Sequence, residues 1–427
     1  MGNGSILERG DGMWDVLRAF YSRATQVGWE EVEVSGAEAG TAQKRGVRMV
    51  VGVTSPQTCL VLSGRLRALR EAGFEVTVVS SPGELLQRTV EADGVDACSI
   101  PMRRGIAPVA DLGAFLGILW FLLRRRPRIV EFSTPKAGLL GSVAACCLCI
   151  PQRVYMLRGL KLESASGWKR RVLVGAERMA ARCAHVVLCN SESLRQEALA
   201  LGVAPARKLV VLGDGSSNGV DMERFRPEGA SAMRARLDLP DGEPVLGFVG
   251  RLTGDKGIPE LLDAFDLVLE RYPRCWLLLV GWFDAAEDEL SQELQARVAD
   301  HPRIRHTGFV ADTAGYYRVM DVLLLPTHRE GFPNVALEAS ATGIPVITTE
   351  ATGARDAVLA EVTGLLVPPG YPEALAEAAV GLLGDEAKRK RMGTAARAWV
   401  GERYSQERVL RLTTEFYRRR VFGQAGV

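Results

Sequence analysis

From Val47 onward, short runs of consecutive apolar residues alternate with longer stretches whose apolar positions recur every three or four residues. The first run, Val47 to Val53, leads through Ser55-Pro56 into a predicted helix from about Leu60 to Ala72, which Gly73 ends. Further strands are expected at Glu75 to Ser80, Arg128 to Phe132, Arg153 to Leu157, His185 to Cys189 and Lys208 to Leu212. Continuous apolar strands separated by helices belong to a parallel sheet covered on both faces.

The rhythm breaks at the polar segment Gly213 to Gly219 and a charged run to Glu228. It resumes with strands predicted at Pro244 to Gly250, Trp276 to Gly281, Ile304 to Val310, Val322 to Pro326, Ile344 to Thr348 and Gly364 to Val367. Two Rossmann-like α/β domains follow from this pattern, with a ligand cleft where the carboxyl ends of their strands face each other. The expected boundaries are an N-terminal extension at 1–45, domains at 46–215 and 216–405 with a linker near 214–243, and a segment at 406–427. The extension shows little alternation, apart from one short helix expected near Trp14 to Tyr21. Helices are expected at about 386–402 and 406–421, and Gly213 to Gly219 is a candidate hinge.

Size and composition agree with this division. At 427 residues the chain exceeds one ordinary core, and 47% hydrophobic with 24% charged residues is a globular balance. A net charge of +2 gives no global field for nucleic acid, so any basic surface must be local. The eight cysteines mostly occupy apolar runs and read as buried, reduced thiols in a cytosolic protein. The Cys146-Cys147-x-Cys149 cluster lacks the companion pair that a metal site requires. The first residues lack the features of a signal peptide, and no apolar run reaches the ~20 residues of a spanning helix.

Two loops at strand ends carry candidate chemistry. Gly250-Arg251 and Lys256-Gly257 follow one strand, placing a guanidinium and an ammonium on the cleft side, where they could hold a diphosphate without a metal. Thr327 to Asn334 follows another strand and opens a helix, with Pro333 in its first turn and Gly331 permitting close backbone approach. Free amides and the positive dipole end make that helix start an anion site. Glu338 lies one turn inside the apolar helix, where a carboxylate requires hydroxyl partners. Glu330 and His328 lie in the loop itself.

Together, Gly-Arg-x₄-Lys-Gly at 250–257 and Glu-Gly-x-Pro-x₄-Glu at 330–338 resemble the retaining GT-B glycosyltransferases of family 4. Asn218 to Asp221, Gly308 to Val310 and Thr352 to Asp356 extend the resemblance, which spans 47 to about 420. Ser133 to Gly141, Leu157 to Glu163 and Leu212 to Asp221 narrow it to the capsule and O-antigen branch. The resemblance implies a GT-B fold and sugar transfer from a UDP-sugar, an N-acetylhexosamine or hexose, to a lipid-linked or growing glycan acceptor. It implies no metal or other cofactor, and a C-terminal helix that crosses back to the first domain. It assigns Arg251 and Lys256 to the diphosphate, with Gly250 beside them and the amides of Phe332, Pro333-Asn334 and Val335 assisting. It further assigns Glu338 to ribose, Glu330 to the donor sugar, and Gly308, Phe309 and Val310 to the base. Relatives carry a histidine where this chain aligns Arg158, which implies a contact to donor or acceptor phosphate instead.

An acceptor held in the inner leaflet would place the protein on the cytoplasmic membrane. The run Leu112 to Leu123, flanked by Arg103, Arg104 and Arg124 to Arg126, reads either as a buried helix or as an interfacial one. Rival readings are a UDP-sugar 2-epimerase on the same fold and a non-catalytic scaffold subunit. A dinucleotide dehydrogenase is disfavoured, because Ser55-Pro56-Gln57 stands where Gly-x-Gly-x-x-Gly would.

Overall fold

The computed structural model describes residues 31–32, 46–103, 105–284 and 290–423. The helix expected near Trp14 to Tyr21 lies outside them. Two parallel sheets form the framework. The first contains β1 (Glu31–Val32), β2 (Val47–Gly52), β3 (Phe74–Ser80), β4 (Asp96–Ser99), β5 (Ile129–Ser133), β6 (Gln152–Leu157), β7 (Val186–Cys189) and β8 (Leu209–Val210). Their spatial order is β1-β4-β3-β2-β5-β6-β7-β8, and only β1 runs antiparallel. The second contains β9 (Val245–Val249), β10 (Trp276–Val280), β11 (Ile304–His306), β12 (Val322–Leu325), β13 (Val346–Thr349) and β14 (Gly364–Val367), ordered β11-β10-β9-β12-β13-β14. Each sheet therefore reverses direction once, between β2 and β5 and between β9 and β12. Ligands bind beyond the strand ends at such reversals.

Every residue of β5, β9 and β10 is buried, which is why β9 and β10 read as unbroken apolar runs, while β5 buries Glu131 and Ser133 among its apolar residues. Several expected boundaries move. The helix expected from Leu60 to Ala72 divides into a 3-10 turn, Pro56–Leu62, and a helix, Arg65–Glu71. Gly64 interrupts it at φ 76°, and its amide donates to the Asp93 carboxylate at 2.9 Å. The strand expected to reach Val310 stops at His306, because Gly308 turns left-handed at φ 70°. Only Leu209–Val210 of the expected Lys208 to Leu212 is paired, and β4 appears where no strand was expected. Part of the N-terminal extension, Glu31–Val32, pairs with Ala97 and Cys98 instead of standing apart from the sheet. All described cysteines are free thiols, but Cys147 and Cys149 are exposed rather than buried.

Helix glycines in the Ser133 to Gly141 motif have a packing role. A Cβ at Gly138 would fall 2.4 Å from the Tyr155 ring, and one at Gly141 2.2 Å from the Phe132 ring. The helix Pro135–Cys147 can thus sit directly on two aromatic side chains of the sheet.

The chain crosses between the domains twice, and the crossings pair. Val220 donates to the Tyr404 carbonyl at 2.9 Å, and Gln406 donates back to the Val220 carbonyl at 2.9 Å. Beyond that point the helix Gln406–Phe422 packs on the first domain. There Tyr417 donates its hydroxyl to Glu131, which also accepts from Arg65 at 2.9 Å through Oε1. Burial works against both charges. Mutual attraction prevails, holding Glu131 below and Arg65 above their ordinary values.

Candidate active site

The reversal between β9 and β12 gathers two loops. After β9, Gly250 and Arg251 lead to a 3-10 turn, Gly254–Lys256, and then to the helix Ile258–Arg271. After β12, Thr327 to Pro333 leads to the helix Asn334–Ala341. Gly257 joins the loops closely: at φ 73°, its absent Cβ would lie 2.0 Å from the Pro326 carbonyl. Pro333 is the residue before the helix rather than part of its first turn, and no side chain caps the helix. Its first amides are left to a ligand or to solvent.

Three ion pairs line these loops. Lys256 Nζ meets Glu330 Oε1 at 2.5 Å, with each side chain 15% exposed, so two residues singled out 74 positions apart are in contact. Arg251 meets Asp284 at 3.3 Å, and Arg329 meets Asp255 at 2.7 Å. Burial raises the Asp255 pKa, but the Thr253 hydroxyl and the cations Lys256, Arg329 and Arg251 outweigh it and hold the carboxylate below its usual range. The cluster is compact and charge-balanced, and its members remain partly open to solvent. A diphosphate entering here exchanges one set of anionic partners for another, which costs less than uncovering bare cations.

Glu338 has hydroxyl partners within the protein. Tyr317 donates to Oε2 at 2.7 Å and Thr313 approaches the same oxygen at 3.5 Å. Burial is the largest influence on this carboxyl and raises its pKa. Gly308, Phe309 and Val310 lie beyond β11. The Phe309 ring is half exposed and stands edge-on to Trp282, with centroids 5.3 Å apart. His328 turns away from the Lys256–Glu330 pair, towards Glu260 at 2.8 Å.

The first domain closes over this site. Gly331 lies against the backbone of Arg158 at the end of β6; a Cβ there would be 1.9 Å from the Arg158 carbonyl. The close approach that this glycine permits is therefore to the facing domain. Arg158 donates through Nη1 to the Ser217 hydroxyl at 2.9 Å, while its buried Nε and Nη2 have no partner. Burial, then repulsion from Arg65, pulls its pKa down to about 10. Ser193 accepts from the Gly353 amide at 2.7 Å and bonds Asp356, and Ser216 faces Asn334 at 3.4 Å. Asp284, Asp255, Arg329, Tyr317 and Ser217 had no assigned role in the sequence. Each acts through a partner from a different loop, which local spacing does not reveal. Among the described residues, no group of three His, Cys, Asp or Glu side chains is arranged to hold a metal ion.

Comparison with known proteins fits this geometry. Residues 243–385 match the family model for glycosyl transferases group 1, and residues 61–215 match that for a glycosyl transferase 4-like domain. The chain is 36% identical over 355 residues to the capsular polysaccharide biosynthesis glycosyltransferase CapM of Staphylococcus aureus, covering 83% of this chain and 92% of that one. A D-inositol 3-phosphate glycosyltransferase of Kineococcus radiotolerans is 34% identical over 268 residues, 58% of this chain and 60% of the relative. Among solved structures, Anabaena HepE in complex with UDP and glucose superposes with a TM-score of 0.73 at 21% identity, over 87% of this chain and 99% of that one. At that identity the likeness concerns the fold, which is GT-B.

Proposed function

The chain belongs to the group 1 glycosyltransferases of GT-B fold, and from that premise we propose that it moves a sugar from a UDP-sugar to a lipid-linked or growing glycan acceptor in capsular polysaccharide assembly, with retention of configuration. The observation that carries this reading is the Lys256–Glu330 contact at the strand reversal, between the two motifs of the donor loops. Lys256 and Arg251 receive the diphosphate. Glu330, released from Lys256, turns to hydroxyls of the donor sugar, and Glu338 takes the ribose beside Tyr317. Phe309 lies at the base.

Transfer then breaks the bond from the anomeric carbon to the diphosphate and forms one to the acceptor oxygen on the same face. The acceptor's proton passes to the departing diphosphate, so no protein base is required. The cations neutralise the charge that builds on the leaving group, which is the role a metal would otherwise have. Arg158, with two unpartnered donor nitrogens at the closed edge of the cleft, is assigned to a phosphate of donor or acceptor.

Among the described residues, no helix is long and apolar enough to cross a membrane. The lipid-linked acceptor is the reason this reading includes peripheral binding at the inner leaflet. Thermal-shift measurement against nucleotides tests the donor assignment. UDP at a hundredfold excess over its dissociation constant is expected to stabilise the protein by roughly 2.7 kcal/mol. Equal shifts with GDP and ADP would remove the UDP preference, and no shift with any nucleotide would remove the site.

A further inference from the structure

The two faces of the first sheet are covered differently. On one face the helices Glu84–Asp93 and Gln406–Phe422 expose Glu84, Arg88, Glu91, Glu407, Arg411 and Glu415, a mixed polar surface. On the other, the helices Pro108–Arg125, Pro135–Cys147 and Gly167–Cys183 pack side by side over Val50, Phe132, Tyr155 and Val187. Their outward surface is apolar. Val109 is 88% exposed, Leu112 59%, Trp168 64%, and Val172 and Met179 48% each. Between them, the Pro135–Cys147 helix presents the half-buried Leu139 and Val143, and beyond Lys136 it carries no charged residue.

Core packing does not account for this surface. In the Gly167–Cys183 helix the buried residues are Glu177, Ala180, Ala181 and Cys183. Trp168, Val172, Gly175 and Met179 recur at intervals of four, three and four, which sets them in one stripe opposite that buried face. The middle of the Pro108–Arg125 helix, by contrast, is explained by packing: Ile118, Phe121 and Leu122 face the sheet. Arg125 at its far end is held by Glu75 and Asp96, and Arg124 and Arg126 lie a helix length away from Val109 and Leu112, so these arginines do not flank that apolar end.

Charge identifies the occupant. Residues 103–123, 135–147 and 166–183 contain eight Lys and Arg but only two carboxylates, in a chain whose net charge is +2. Both carboxylates are engaged within the fold, Asp111 by Lys136 and Glu177 by Tyr155. Lys169, Arg170, Arg171 and Arg178 are exposed beside the apolar stripe. A tryptophan-bearing apolar face bordered by cations alone matches an anionic bilayer, whose headgroups are phosphates and whose interior is hydrocarbon. A protein partner would have to present a uniformly acidic rim around an apolar centre.

We propose that this three-helix face is the membrane-docking surface, with Trp168, Val172, Val109 and Leu112 at the headgroup boundary and Lys169, Arg170 and Arg171 on lipid phosphates. The Pro108–Arg125 and Gly167–Cys183 helices begin at the carboxyl edge of the sheet, so docking sets the cleft beside the bilayer. That consequence rests on the lipid-linked acceptor proposed above.

The test is cosedimentation of the full chain with phosphatidylglycerol-containing vesicles at low ionic strength. Wild-type protein is expected in the pellet, and in the supernatant with phosphatidylcholine alone. The Trp168→Glu, Val172→Glu double variant and the Lys169→Glu, Arg170→Glu, Arg171→Glu triple variant are each expected to bind on the order of a hundredfold more weakly. A matched control, Leu359→Glu with Val362→Glu on exposed positions of the second domain, should pellet like wild type. Wild type that stays in the supernatant, variants that pellet unchanged, or a concentration-dependent dimer dissociated by the same substitutions would each overturn the proposal. The UDP-induced thermal shift, measured on every variant, reads the donor site separately, so failure of docking is distinguishable from failure of the transferase reading.

Discussion

The two domains share one strand order around the reversal and use charge in opposite ways. In the second domain the ion pairs lie in the loops at the strand ends, partly open, as Lys256 with Glu330 shows. In the first domain the corresponding loops carry hydroxyls. Thr54 and Thr134 meet there at 2.6 Å, and Thr134 is held at φ 68°. The fully buried ion pair in that domain, Arg65 with Glu131, lies within the core and joins the returning helix to the sheet through Tyr417. An accessible pair can exchange partners with a ligand, whereas a buried pair fixes neighbouring elements. Topology therefore provides the place for a ligand, and the exposure of the charges set there decides whether that place is used.

This contrast can be broken by substitution. Lys256→Ala or Glu330→Ala should lower kcat/KM for transfer by about a thousandfold, while stability changes by no more than about 1 kcal/mol. Steady-state kinetics beside urea unfolding measures both, and full activity in either variant would dismiss the site. Glu131→Ala should do the reverse, costing about 3–5 kcal/mol because it strands a buried guanidinium. Unfolding at an unchanged urea midpoint would show that the pair is not structural.

A smaller effect sharpens the same distinction. Burial raises the Glu177 carboxyl to about 7, although Tyr155 donates to it. The folded state therefore holds a proton that the unfolded chain has released between about pH 4.5 and pH 7. Its stabilising contribution is complete below that window, falls as pH rises through it, and is absent above. Glu177→Gln should flatten this slope and raise stability at pH 8 by up to roughly 3 kcal/mol. Parallel pH profiles for variant and wild type would count against it.

Much of the framework is legible in the chain, because strands buried on both faces are largely apolar, although those expected at 208–212 and 304–310 are shorter in the fold. The cations and carboxylates of the donor loops are legible too, since Gly250 to Gly257 and Glu330 to Glu338 each lie within one loop and helix start. Their partners are not. Asp284 reaches Arg251 from the loop after β10, and Tyr317 reaches Glu338 from a separate short helix. Periodicity within an element says which side is apolar, but not what stands on the far side of the sheet. The same limit explains why the apolar run at 112–123 reads either as a buried helix or as an interfacial one, whereas its middle is core and the exposed surface continues from Val109 and Leu112 onto the Gly167–Cys183 helix.

The return of the Gln406–Phe422 helix to the first domain also governs the order in which the protein is completed. The first sheet is synthesised long before Tyr417, and until that residue emerges the Arg65–Glu131 pair lacks its third member. Domains ordinarily mature one after another as the ribosome advances. Here the earliest domain waits for nearly the last helix, so a nascent or prematurely terminated chain carries an unfinished core. Such chains are open to chaperones and proteases in a way that the finished molecule is not, and the closing helix separates the two populations.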